Sequence, residues 1–198
     1  YFIMDPNNGK APVKRPTGKV KDILLTLGGS DHNDLIFKVL ASLEMVSQWS
    51  SLRLKVVVSS ACGYLSRLRE HLKRVGPDVE LLVDVSSFAP LWQQVDLAIT
   101  AGGNTLFERI ASRLPGATVC QLKRQMEIAD KFNDLGVNVN LGYGPELSES
   151  GLAKSLAVFI SDNKIHTQQY DRAPDIIDGQ GLNKLGDEIE KLLEGGER

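Results

Sequence analysis

Val95-Asp-Leu-Ala-Ile-Thr-Ala-Gly-Gly-Asn-Thr-Leu-Phe-Glu-Arg109 is the stretch that decides the fold. It reads as a buried strand over Leu97 to Thr100, a tight turn at Gly102 and Gly103, and a helix opening at Asn104 or Thr105. Two glycines let the backbone turn sharply and let a ligand approach with no Cβ in the way. A helix start carries unpaired N–H groups and a partial positive charge, so it suits an anion. Glu108 stands one turn after Asn104 on the same helical face, leaning toward the helix mouth. A carboxylate there repels phosphate but accepts hydrogen bonds from sugar hydroxyls. The combination suggests a phosphate beside a ribose, that is, a nucleotide. An ordinary strand–turn–helix with no ligand has the same local signature.

Moving outward, Asp22 to Leu27 is a short apolar run followed by Gly28-Gly29-Ser30-Asp31, with Leu35, Ile36, Val39, Leu40 and Leu43 then at helical spacing. This is a second strand, glycine turn and helix, with Ser30 or Asp31 suited to the N-cap. Gly28, Gly29 and Ser30 are placed to meet another part of a phosphate or a sugar. His32 reads as loop surface, with a catalytic role as the alternative. Further strands are expected over Leu52 to Ser59, Val79 to Val85, Ala117 to Leu122 and Val137 to Leu141. Helices are expected over 61–75, around Leu91 and Trp92, over 104–114 (burying Leu106, Phe107, Ile110 and Leu114), from Gln125 to Gly136, after Ser148, over 162–172 and from Leu182 to Leu193. Strands and helices alternate throughout. The fold class is therefore α/β, a Rossmann-like parallel sheet with helices on both faces. The loops at 28–34, 85–89, 101–105 and 121–126 all follow strands and fall on one rim, where ligands of such sheets bind.

Composition narrows the field. The chain has 198 residues, 42% of them apolar and 24% charged, with a net charge of −2, so nothing pulls it toward nucleic acid. Residues 1–20 are rich in Pro and Gly and carry scattered lysines, as a solvated inter-domain linker does; a weak phospholipid contact is the other reading. Residues 21–195 then form the folded domain. The basic residues of 61–75 lack aromatic interleaving and read as a solvated helix face. No run approaches a membrane span and no signal peptide is visible, which points to a cytoplasmic protein. Cys62 and Cys120 read as free buried thiols, and the three histidines are too scattered for zinc. The chain lacks a G-x-G-x-x-G, a Walker sequence and a G-x-S-x-G elbow, which argues against a nicotinamide site, ATP hydrolysis and a serine nucleophile.

Thr26-Leu-Gly-Gly-Ser-Asp31, Asp96 to Glu108, Gln125-Met-Glu127 and Asp178-Gly-Gln-Gly181 together resemble the C-terminal half of the UDP-sugar hydrolases of pseudaminic-acid synthesis. That group stands with spore-coat polysaccharide proteins and the family 28 glycosyltransferases. The resemblance spans about residues 20–195. It implies the C-terminal, nucleotide-sugar-binding domain of a GT-B-type fold, with a catalytic N-terminal domain of the same protein outside this chain. By resemblance, Gly102, Gly103, Asn104 and Thr105 hold a diphosphate, Glu108 the ribose, and the backbone of Val85 to Phe88 the uracil. Gln125 and Glu127 then face the sugar or nucleotide, and Gly28, Gly29 and Ser30 close over the diphosphate. Two departures stand out: Arg124 where the hydrolases carry Asn, and Lys184 where Arg is usual. The family's catalytic histidine lies in the other domain, so no catalytic residue is expected here, nor a metal or other cofactor. The expected function is the UDP-sugar-binding half of a hydrolase that releases UDP in sialic-acid-like or surface-polysaccharide synthesis. The alternatives are the donor domain of a GT-B glycosyltransferase, with peripheral membrane contact, or a non-catalytic module that kept the fold.

Overall fold

Six short apolar runs form one wholly parallel sheet: β1 (Asp22–Thr26), β2 (Arg53–Val58), β3 (Val79–Val83), β4 (Leu97–Thr100), β5 (Gly116–Cys120) and β6 (Val139–Tyr143). The computed structural model describes residues 13–195 apart from Ser30, His32 and Pro77. Ser30, His32 and the first twelve residues of the expected linker thus lie outside the described residues. The strand order is β3-β2-β1-β4-β5-β6. The chain starts near the middle, winds outward through β2 and β3, then returns to the other side of β1 with β4. The reversal of direction lies between β1 and β4, which pair from Ile23–Leu97 to Thr26–Thr100. That is the position at which a doubly wound sheet opens a crevice at its carboxyl edge.

Alternation along the strands sends residues to two buried faces. Ile23, Leu25, Leu27, Ile99 and Val119 face α1 (Leu35–Glu44) and α6 (Glu149–Ser161). Leu24, Val57 and Ala98 face Trp92 of α3 (Ala89–Trp92), Val95 and Leu114. On that second side, α4 (Asn104–Ala111), α5 (Lys123–Asp134) and α7 (Asn163–Ile176) pack through Leu106, Ile110, Phe132 and Ala173. α2 (Leu65–Leu72) buries only Leu68, and α8 (Gly181–Gly195) closes the chain. In α8, Leu182, Ile189 and Leu192 remain 47%, 49% and 76% exposed. Among the described residues no helix is long and apolar enough to cross a membrane.

Several boundaries differ from expectation. α2 stops at Leu72, three residues short of Val75. β6 begins two residues late because Val137 joins the helical cluster and the Asn138 side chain is drawn into a buried network. α5 starts at Lys123 because the Gln125 amide reaches back and caps the turn before it. In α4, Phe107 is only partly buried and Arg109 is fully buried instead. Arg109 donates to the Leu114 carbonyl at 2.7 Å and to Asn138 Oδ1 at 2.9 Å. A Cβ on Gly116 would lie 2.7 Å from Arg109 Cδ and 2.4 Å from the Ala98 carbonyl oxygen, so glycine there makes room for the guanidinium. Burial lowers the Arg109 pKa to about 9.

Residues 13–21 lie against the domain. Val13 is buried and its N–H donates to the Ser112 carbonyl at 3.1 Å, while Arg15 pairs with Asp171.

Candidate functional site

The two glycine turns flank the crevice between β1 and β4, but their helices start differently. At α1, Asp31 is buried and both its carboxylate oxygens are engaged. The N–H of Leu35 donates to one at 3.0 Å and that of Ile36 to the other at 2.8 Å. The Tyr64 hydroxyl donates to the same carboxylate at 3.4 Å. Burial raises the Asp31 pKa against the lowering pull of these bonds. At α4 the N-cap is Gly103, which has no side chain of its own, and among the described residues no side chain accepts from the first N–H groups of the helix. So the first helix start is filled by the chain's own anion, and the second is open to another.

Beside the α4 start lies a cleft of about 250 Å³, walled by Thr26, Gly28, Gly29, Asp84, Phe88 and Thr105 among others. It brings together four residues singled out in the sequence: Gly28, Gly29, Phe88 and Thr105. Gly28 takes φ +83, a conformation glycine adopts without strain. A Cβ on Gly103 would meet open space. A Cβ on Gly102 would lie 2.8 Å from Gln125 Cβ, so that glycine lets α5 approach the turn. Phe88 stacks on Trp92 with ring centroids 4.9 Å apart and planes 16° from parallel. Its position is thus fixed from behind by a fully buried indole.

Asn104 is exposed at the start of α4, and Glu108 is half-buried one turn along. Neither is a wall of the cleft, nor are Gln125 and the exposed Glu127 on α5. Gln125 spends its carbonyl oxygen within the protein, accepting the Gln121 N–H at 2.8 Å and the Leu122 N–H at 3.3 Å. What it can offer a ligand is therefore the Nε2 donor.

Sequence reasoning missed Asp84. It follows β3 with φ 53, and its carboxylate accepts the Ser60 N–H at 2.8 Å. Hydrogen bonds from Ser60 hold its pKa below the usual carboxylate range. It ties the loops after β2 and β3 together at the cleft wall. The expected strand ran through Asp84 to Val85; an aspartate near that strand's end, with Ser86 and Ser87 two and three residues on, is a turn signal that would have found it. A larger cavity, about 410 Å³, lies at the opposite rim, where residues 13–22 pass Gln94, Asp96 and His166. It sits at the amino ends of β1 and β4, away from the edge at which such sheets bind ligands. Among the described residues no group of three His, Cys, Asp or Glu is placed to hold a metal ion.

No protein-family profile matches the chain. It is 28% identical over 174 residues to the spore coat polysaccharide biosynthesis protein SpsG of Bacillus subtilis (strain 168), a match covering 88% of this chain and 51% of that protein. The chain thus spans about half the length of that relative. It is 30% identical over 116 residues to an uncharacterized protein of Methanocaldococcus jannaschii, covering 58% of this chain and 24% of the other. Among solved structures, MurG of Acinetobacter baumannii superposes with a TM-score of 0.69 at 15% identity, over 88% of this chain and 50% of that one. The S. aureus MnaA–UDP co-structure gives 0.69 at 14% identity, over 89% and 47%. The glycotransferase of kitacinnamycin gives 0.67 at 21% identity, over 92% and 45%. These likenesses are of fold. The chain is a Rossmann-like α/β domain of the GT-B type, related in sequence to a spore-coat polysaccharide protein.

Proposed function

We propose that this chain is the donor-binding half of a GT-B glycosyltransferase and that it takes a UDP-sugar. The observation that carries this is the α4 start, which no side chain among the described residues caps and which opens beside a cleft at the switch point, while the twin start at α1 is closed by Asp31. In this reading the diphosphate sits on the Gly103, Asn104 and Thr105 end of α4, and the Gly28–Gly29 turn meets it from across the crevice. The backbone of Val85 to Phe88 meets the base, with the Phe88 ring held by Trp92. Glu108 accepts from the ribose hydroxyls. Gln125 donates through Nε2 to a sugar oxygen, with Glu127 beside it on α5. When an acceptor hydroxyl attacks the sugar's anomeric carbon, the leaving diphosphate gains charge, and the α4 start stabilises it where it forms. The base that takes the acceptor's proton belongs to the other half of the protein. The spore-coat relative's part in polysaccharide biosynthesis and the UDP in the S. aureus co-structure support a sugar-nucleotide ligand.

The pseudaminic-type hydrolase is the second reading, favoured by the resemblance at Gln125-Met-Glu127 and Asp178-Gly-Gln-Gly181. Product analysis separates the two. A hydrolase releases UDP and sugar from the donor alone; a transferase needs an acceptor.

Calorimetric titration with UDP, GDP and CMP, on this chain and on the full-length protein, tests the donor assignment. UDP is expected to bind selectively, and Glu108→Ala is expected to weaken it by roughly 1–3 kcal/mol, the usual loss for hydrogen bonds in a sheltered site. Failure of the full-length protein to bind any of the three nucleotides would end the proposal.

A further inference from the structure

Gln121 stands just past β5 and is 8% exposed. A buried amide is costly unless it is hydrogen-bonded. Its Nε2 donates to the Leu27 carbonyl at 2.5 Å. β5 and β1 are not neighbours, since β4 lies between them. The side chain therefore reaches past the end of β4 to the residue directly before Gly28. Gln121 is itself held, because Gln125 Oε1 accepts its backbone N–H at 2.8 Å. Gln125 also fills the space beside Gly102. The first turn of α5 is in this way fixed to both glycine turns at once, to one by the Gln121 amide and to the other by contact.

We propose that Gln121 is the positioning residue of the diphosphate subsite: it sets the Gly28–Gly29 turn against the start of α4. This rests on the donor-domain reading above. Gln121 touches no ligand in this arrangement; it acts through the Leu27 carbonyl. Loss of its donor leaves the base wall at Val85 to Phe88 intact and loosens only the turn that meets the phosphates. A nucleoside diphosphate and a bare nucleoside must then respond differently.

The test compares UDP with uridine on wild type and Gln121→Met, a side chain of matched length with no donor. The expected result is a UDP affinity lowered tenfold or more, an unchanged uridine affinity, and faster amide hydrogen exchange at Gly28 and Gly29. Gln121→Leu, which also lacks the donor and adds no charge near the phosphates, is expected to show the same ratio and serves if the first variant does not fold. Equal losses for UDP and uridine, or no loss for either, would overturn the role of Gln121 while leaving the donor reading in place. A wild-type protein that binds neither compound would overturn the donor reading, and this inference with it.

Discussion

Arg109 brings a guanidinium into the protein interior, where its hydrogen-bond partners are a carbonyl and an amide oxygen rather than a carboxylate. Removing it takes the guanidinium donor from the Leu114 carbonyl, leaves Asn138 Oδ1 with the Thr118 hydroxyl alone, and opens a void beside Gly116. Arg109→Ala should cost about 3 kcal/mol or more in denaturant unfolding, and Arg109→Met, which keeps the volume, should cost less. The residue was hidden in the sequence because a cation on an apolar stripe reads as surface. Only Gly116, on the following strand, shows that space was left for it. The neighbouring glycines separate two roles that the sequence assigned jointly. Gly102→Ala forces a Cβ to within 2.8 Å of Gln125 Cβ and should destabilise the fold by about 1–3 kcal/mol. Gly103→Ala meets open space and should leave the melting temperature within about a degree or two, consistent with a change under 0.5 kcal/mol. Thermal melts of the two variants side by side check this pair.

Among the elements, the corner between α6 and α7 has a pH dependence of its own. His166 is buried, and its Nε2 lies 2.7 Å from the Phe159 carbonyl oxygen, with the Phe159 ring edge-on beside it. Burial lowers its pKa from the ordinary 6.5, against the raising influence of that carbonyl and of Asp162 and Asp96. The unfolded chain therefore takes up a proton at a higher pH than the folded chain does. Stability linked to His166 is present above about pH 6.5 and is lost as pH falls through the lower folded value. Melting temperatures from pH 7.5 down to 5 should fall more steeply for wild type than for His166→Gln. Strands and helices themselves were readable from apolar periodicity, because both sheet faces are buried and every helix between them needs one apolar side. Their edges were not. β6 is displaced by the demand of Arg109 and Thr118 for the Asn138 amide, and α5 is lengthened by a side chain that caps its own helix. The first is a tertiary effect with no local signature; the second is a local bond over three and four residues, and a glutamine at N3 is the signal that could have shown it.

For the whole molecule, the alternation of elements and the two glycine turns were enough to foresee a parallel sheet with a ligand rim at one edge. The order of the strands, and with it the crevice between β1 and β4, became visible only in three dimensions, because crossovers do not record in the sequence which side of β1 they return to. The cleft residues after β1 and β4 were readable as turn chemistry, whereas Asp84 after β3 lay inside an expected strand. The fastening of those turns from α5 was not, since Gln121 and Gln125 look like ordinary polar residues beside a strand end. α8 behaves differently from the rest. Its 3-4-3 leucine pattern predicts burial, yet Leu192 is 76% exposed. Leu192→Ser should change the unfolding free energy of this chain by no more than about 0.5 kcal/mol, as surface substitutions do. A larger loss in chemical denaturation would mean that the helix packs in solution as it does not here.

The carboxylate of Asp31 has a consequence for direction. Two near-copies of one turn stand side by side at the mouth of the sheet, and an anion presented to two open helix starts would have two ways to settle, one the reverse of the other. By occupying one of them itself, the chain breaks that degeneracy. On the donor-binding reading proposed above, an elongated ligand with charge at its middle and different groups at its ends is expected to take one heading in the crevice, with its reactive end on one side only.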